Sequence, residues 1–377
     1  MAEYLTNTTD LTKVADAIRA KSGTTAVLEY PDGFATAIGD IQTGTELSIV
    51  VTVTSGAVVT ATKGSTTVSG TSVNGVCTLV VPEAGTWNVK ATLGGQTSRT
   101  ENVSVVNSYS LTLSFVSSTL NNNDWATIKS VSDAGQGENY WSIGDRKAVT
   151  LNGTVGKLSL SNVTTYAFII GFNHNASVEG ENRIHFQLAK TALSGGTDVC
   201  LCDSSYNSTV STTGYFSMNS SRTNSGGWAS SQMRTNICGT SLSSYSGTII
   251  AVIPAALRAV LKPVTKYTDN TANGGGSTAS YVTATTDYFF LLSEFEVFGS
   301  ISYGNTNEKN KQAQYAYYSA GNSKIKYKHD GTSTAAYWWL RSPYASNSYN
   351  FVTVYTGGTV NTDTAHYSLG FAPGFCV

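Results

Sequence analysis

Tyr337-Trp-Trp-Leu-Arg-Ser-Pro343 and, at the C-terminus, Gly370-Phe-Ala-Pro-Gly-Phe-Cys-Val377 bracket the stretch on which the reading of this chain turns. Both blocks are bulky and apolar, as scaffold must be, so Trp338, Trp339, Leu340, Phe371 and Phe375 are expected in the core. Between them, Tyr344 to Ser368 mixes Tyr, Ser, Asn, Thr, Asp and His. Tyr supplies large, stiff contact area at small entropic cost, and Ser, Asn and Gly supply adaptable hydrogen bonds. That is the composition of a binding surface; the bland alternative is an ordinary exposed loop in a Tyr- and Ser-rich chain. Val352, Val354 and Val360 read as the alternating core side of strands, which leaves their neighbours free to face solvent.

Composition sets the rest of the frame. Only 12% of the 377 residues are charged, against roughly 25% in ordinary globular chains, so long Glu/Lys-laced helices cannot be the main architecture. With 36 Gly, 40% hydrophobic residues, 21 Tyr and 6 Trp, the chain reads as β- and loop-rich with a genuine core. A net charge of -1 provides no Lys/Arg stripe for a phosphate backbone, so nucleic acid is not an expected partner. The longest apolar run, 249–257 around Pro254, is far short of the ~20 residues that cross a bilayer, and no membrane insertion is expected. MAEYLTNTTD has neither a basic nor an apolar signal region, so synthesis in the cytoplasm is expected. Cys77, Cys200, Cys202, Cys238 and Cys376 are odd in number and irregular in spacing, which reads as free buried thiols. Cys200 and Cys202 would share one face of a strand but lack the further ligands a zinc site needs.

Three regions follow along the chain. In 1–44, Asp10 can cap a helix with Leu11, Val14, Ala15 and Ile18 at helical spacing and a stop at Gly23. A second short helix begins near Pro31 and carries Phe34, Ala37, Ile38 and Ile41. From 45 to 107 the period becomes two, through Leu47, Ile49, Val51, Val53, Val58, Cys77, Leu79, Val81, Trp87, Val89, Val103 and Val105. Turn signals at Ser55-Gly56, Asn74-Gly75, Ala84-Gly85 and Gly94-Gly95 punctuate it, predicting a small immunoglobulin-like β-sandwich spacer. The remainder, 113–377, reads as one domain with strands at 166–172 and 184–188 and a helix at 227–234.

Catalytic chemistry finds no motif. Glu294 and Glu296, two apart in an apolar segment, would share a strand face and could pair for acid-base work. The simpler account is that they anchor loops or pair with Arg341. His174, His185, His329 and His366 have no metal or triad spacing, and GxSxG, P-loop and GxGxxG patterns do not occur. No catalytic residue, cofactor or metal is expected.

GGWASSQMR, IPAALRAVLKPV, DYFFLLSEFEVFG, QAQYAYY and YWWLRSP…GFAPGFCV, in that order over about 121–377, resemble a C-terminal domain of gut-phage tail proteins and bacterial surface proteins. That domain is similar to the C-type-lectin-like fold of formylglycine-generating enzymes and of the variable proteins of diversity-generating retroelements. LTKVADAIRAKSGTTAVLEYPDGFATAI resembles a leader of phage tail and baseplate proteins. The catalytic motif of the formylglycine-generating enzymes is absent, as are Glu-Pro-Asn, Gln-Pro-Asp and Trp-Asn-Asp of calcium-dependent lectins; neither activity is carried over. Retroelement mutagenesis at adenines turns AAC/AAT codons into a set that cannot encode Lys, Glu, Gln, Met or Trp, and 344–368 contains none of these.

The resemblance implies a mostly β chain with an α+β C-terminal domain. Its parts are a helical attachment or oligomerisation leader (1–44), an Ig-like spacer (45–107) and a C-type-lectin-like domain (113–377) with variable region 338–377. It implies a receptor-binding protein of the virion tail, a homotrimer joined to tail or baseplate proteins through its leader, that contacts a host cell-surface protein or glycan. The expected contacts are Tyr344, Ser346, Asn347, Tyr349, Asn350, Thr353, Tyr355, Thr356, Thr362, Asp363, Thr364, His366 and Tyr367. The alternatives are a bacterial surface adhesin and an enzyme of the same fold.

Overall fold

A computed structural model describes residues 8–22, 25–39 and 46–377. The protein is mostly β, and it divides into two compact units, one ending at Phe115 and one spanning Val116–Val377. Among the described residues no helix is long and apolar enough to cross a membrane.

The first unit starts with helices Thr8–Ser22 and Asp32–Gly39, which bury Ala15 and Ile18 against Phe34 and Ala37. The first helix begins two residues before Asp10, so Asp10 lies inside it and not at its cap; the expected stop at Gly23 and the apolar Ile41 lie outside the described residues. Val14 and Ile38 are exposed because two short helices offer each other only one narrow stripe. Eight strands follow in two sheets around one apolar core. Strand Ser48–Thr52 is central in the smaller sheet, antiparallel to Val76–Val80 and parallel to Ser108–Thr112. Gly85–Leu93 is central in the larger one, between Val58–Lys63 and Glu101–Val105. Asn74-Gly75 makes the expected tight turn with both residues at positive φ (52° and 84°). One phase assignment is corrected: Ala57, Val59 and Ala61 face the core and Val58 faces out, since the register pairs Val59 with the inward Ala91. The strand region also runs past 107, because Ser108–Thr112 completes the small sheet and Leu113 fills the core.

In the second unit a five-stranded antiparallel sheet runs in the order Phe289–Phe290, Gly374–Cys376, Ile184–Lys190, Leu158–Phe172, Arg146–Val155. The last strand of the chain is thus an interior strand. Val377 exchanges both backbone hydrogen bonds with Ile184, and Ser132 on helix Trp125–Asp133 donates to the Val377 carbonyl. Trp125 stands edge-on to Phe186 and Phe375, which stack on each other, and Phe289 lies tilted against Phe375. Gly374 is required here, since a Cβ would come within 2.7 Å of the Phe290 ring. A second sheet, Trp338–Pro343, Asn350–Val354, Val360–Thr364, carries the other bracket of the decisive stretch. The expected helix at 227–234 is broken: one turn ends at Ser230, Ser231 is extended, and a wide π turn covers Met233–Cys238. A single helical turn, Ala255–Arg258, begins after Pro254.

Candidate functional site

The hairpin formed by Asn350–Val354 and Val360–Thr364, with the loop 344–350 that enters it, holds the expected contact residues except His366 and Tyr367, which follow it, Tyr367 in a short strand paired with Ser208–Thr209. Its mounting begins with Trp338, Trp339 and Leu340, all fully buried like Phe371 and Phe375. The two indole N–H groups donate to the carbonyls of Lys324 and Phe216 (2.9 Å each). The backbone of the bracket is tied across by Trp339 N–H to Gly370 O, Gly370 N–H to Tyr337 O and Arg341 N–H to Leu292 O.

Below the bracket lies a buried charged network. The Arg341 guanidinium donates to both oxygens of Glu296 (2.5 and 2.9 Å), to Thr268 Oγ1 and to Leu291 O. Lys266 Nζ donates to Glu179 Oε2 (2.6 Å), Glu296 Oε1 (3.0 Å) and the Tyr315 hydroxyl (2.8 Å). Glu308 accepts from Ser342 Oγ and the Asp269 N–H. Two cations thus hold Glu296 well below the usual carboxylate range despite its burial. Glu179 and Glu308 are pushed up to about 7 because burial outweighs their partners. Burial lowers His174 to about 3 and holds His185 well below its ordinary value.

This overturns the strand placement of the acidic pair. Glu294–Phe298 is a helical turn with Ser293 and Glu296 forming a reciprocal capping box, so the two carboxylates diverge. Glu296 pairs with Arg341, and Glu294 accepts from the N–H groups of Ser302, Tyr303 and Gly304. Both are spent on anchoring, as the simpler account held. His174, Glu179 and Glu296 do bring ligand atoms within 4.8 Å of one another. The Lys266 ammonium already supplies the cation there, and a divalent ion would add two charges beside it and Arg341 with no further anion to balance them.

A second mount is Asn224, fully buried. Its Nδ2 donates to the carbonyls of Tyr344, Asn347 and Asn350, its N–H to Ser348 O, and its Oδ1 accepts from Asn273 N–H. One side chain thereby sets the course of the whole loop 344–350. Asp203 does the same for the far end, accepting from Ser368 Oγ, Ser205 N–H and Phe216 N–H. Asn224 has no local signal in sequence, since its side-chain partners lie 49 residues or more away, and the nearby partners of Asp203, Ser205 and Phe216, do not foretell its bond to Ser368.

On this frame the expected contacts divide. Tyr355 is 40% exposed and stands edge-on to Tyr337, with ring centroids 4.9 Å apart. Tyr344 is edge-on to Tyr303, and the Arg222 guanidinium lies 4.2 Å over the Tyr349 ring. Ser346 is exposed, while Thr356, Thr362, Asp363, Thr364, His366 and Tyr367 are half-buried. Thr353 is corrected: it is fully buried, because Asn350–Val354 is the middle strand and is covered on both faces, so Phe351 and Thr353 are as hidden as Val352 and Val354. Val360 is only half-buried, being on the edge strand. Asn347 has its Oδ1 occupied by the N–H groups of Tyr349 and Asn350, and Asn350 donates to Thr362 Oγ1. Strand alternation puts Asn350, Thr362 and Thr364 on one face and Asp363 on the other, so the thirteen residues do not form one flat patch. Ser348 and Thr359 in the same segment are exposed as well and were not expected from sequence.

With that geometry in place, comparison adds one family. Residues 206–377 match a family described as Domain of unknown function (DUF6273). The matched stretch begins at Tyr206 and so takes in Asn224, Lys266, Glu296, the bracket and the hairpin, but leaves out Glu179 and Asp203. Comparisons with curated proteins and with solved structures find no match.

Proposed function

We propose that this chain is a receptor-binding protein of a phage tail, which grips a host cell-surface protein or glycan through the hairpin 350–364 and the loop 344–350. The observation that carries the reading is the contrast in burial: a fully buried bracket, pinned by Arg341 and Asn224, holds a rim of half-exposed Tyr, Thr, Asn and His between its ends. Side chains on such a rim can change without disturbing the core, which is what a diversified site requires. Tyr344, Tyr349 and Tyr355 each lean on a neighbouring ring or guanidinium, so little rotamer freedom remains to be lost on binding. The carboxylates that an enzyme of this fold could offer near the bracket are committed to Arg341, Lys266 and backbone amides, which favours binding over catalysis.

In this reading the second unit is a C-type-lectin-like domain, the eight-stranded part an Ig-like spacer, and the helical leader the attachment and trimerisation segment. Trimerisation would raise effective concentration at a cell surface; light scattering that gives a mass near that of one chain would refute it. The site is tested by replacing Tyr344, Tyr349, Tyr355 and Tyr367 with Ala together and measuring adsorption to host cells. Single hot-spot truncations are expected to cost about 1–4 kcal/mol of binding. Unchanged adsorption with unchanged melting would eliminate the site. A near-copy of the DNA for 338–377 beside a reverse transcriptase gene, differing at adenines, is expected if the region is diversified.

A further inference from the structure

A cleft of about 500 Å³ opens in the second unit, and no residue of 344–368 lines it. Its walls come from four separate segments: the turn around Leu120, the loop before strand Arg146–Val155, the loop 193–195, and the Tyr317–Asn322 turn. The volume falls within the range of small-ligand sites.

Two charged residues consecutive in sequence line it, Asp145 and Arg146, and neither is in an ion pair among the described residues. Arg146 Nη1 donates to Ala192 O (2.7 Å) and Gly195 O, which ties down the loop wall. That leaves Nε and Nη2 without a hydrogen bond among the described residues. Asp145 Oδ2 accepts from Ser142 N–H (2.9 Å), which orients the carboxylate and leaves Oδ1 without a partner. Ser118, Thr119, Ser194 and Asn322 add hydroxyls and an amide. Leu193, 46% exposed, supplies an apolar rim.

We propose that this cleft is a second binding site, separate from the hairpin, for a neutral oligosaccharide. A sugar hydroxyl both donates and accepts, so a cleft that offers both an acceptor-only carboxylate and a donor-only guanidinium matches a ligand carrying several hydroxyls. The pair has no net charge, and Asp145 repels a carboxylate or phosphate brought to Arg146, which selects against acidic ligands. The apolar rim meets the C–H face of a pyranose ring.

The test is titration calorimetry of the full chain with chitotriose, mannotriose and maltotriose, and with 3′-sialyllactose as the acidic arm. At least one neutral trisaccharide is expected to bind with millimolar or tighter affinity. Asp145→Ala and Leu193→Asp should each weaken it about tenfold or more. Leu193 lies on an exposed loop, so its variant keeps the test valid if Asp145→Ala melts early. Replacing Tyr349 and Tyr355 with Ala should leave this affinity unchanged, which separates the cleft from the hairpin. Binding of sialyllactose alone, no binding by any neutral trisaccharide, or full affinity in the Leu193→Asp variant would overturn the proposal.

Discussion

Glu296→Ala is expected to remove a large fraction of the stability of the second unit. The side chain is fully buried and accepts four hydrogen bonds: two from Arg341, one from Lys266 at 3.0 Å and one from the Ser293 N–H at 2.9 Å. Its loss leaves Arg341 and Lys266 buried with one fewer anion, and breaking a buried pair from one side costs about 3–5 kcal/mol. The capping box goes with it, for about 1 kcal/mol more. The sum, about 4–6 kcal/mol, is a large fraction of the ~5–15 kcal/mol of a whole domain. Glu296→Gln keeps the shape and the Ser293 acceptor and should fall near the lower end, about 3 kcal/mol. Urea unfolding followed by tryptophan fluorescence reads this directly, because Trp125, Trp141, Trp228, Trp338 and Trp339 all lie in the second unit and only Trp87 in the first. At a slope of about 1–3 kcal/mol per molar urea, the Gln variant's midpoint should drop by roughly 1 M or more. Adding Arg341→Met to Glu296→Gln should recover part of the loss, since the unpaired cation is then gone. A loss below about 1 kcal/mol in Glu296→Ala would refute the reasoning, because it would mean that water or another anion reaches Arg341.

Asn224→Ala should cost about 1–3 kcal/mol by leaving buried carbonyls of 344–350 unpaired, and amide exchange should accelerate in that loop before any other part of the second unit. Gly370→Ala should fail to fold, since the new Cβ would lie 2.3 Å from Cys200 Sγ and 2.7 Å from the Tyr337 carbonyl; Cys200→Ala should not rescue it, because the carbonyl remains, and soluble yield with circular dichroism checks both. Stability against pH should be nearly level between about 4.5 and 6.5. Glu179, Glu294 and Glu308 have raised pKa values and lose stability as pH rises, whereas His174, His185 and His329 have lowered ones and lose it as pH falls. Below about 4.5 the lowered Glu296 joins the histidines and stability should drop steeply. Replacing His174 with Gln removes one rising contribution, so melting at pH 6.5 should fall relative to pH 4.5 by up to about 1.4 kcal/mol per pH unit; an unchanged profile would contradict the buried neutral imidazole.

Much of this protein was legible without coordinates wherever a local period carried the information. The low charge and the period-two runs foretold a β-rich chain, and nearly every residue of the first sandwich faces the way its alternation demands. Val58 failed because Ala57, Val59 and Ala61 form the inward set with two small members, which a search for large apolar residues passes over. The bracket was legible for a similar reason: two Trp, a Leu and two Phe in short blocks have nowhere to go but the core. The acidic pair was placed on a strand because two apolar-flanked carboxylates look alike in either conformation; Ser293, which caps a helix with Glu296, was the signal that distinguished them.

What tertiary structure alone decided is the set of long-range partners. Arg341 was already offered Glu294 and Glu296 as partners by the sequence, but that it takes Glu296 and not Glu294, and that Lys266 takes Glu179, follow from which loops the sheet brings together. Asn224 looks like any other polar loop residue until three carbonyls from 344–350 converge on it. Thr353 alternates correctly yet is hidden, because strand period assigns a residue to a face and only the layers above and below decide whether that face meets water. The sequence by itself determined the periodic elements and the scaffold ends, since these depend on neighbours a few residues away. The exposure and mounting of residues 344–368 were decided by contacts across more than a hundred residues, where no local pattern reports the outcome.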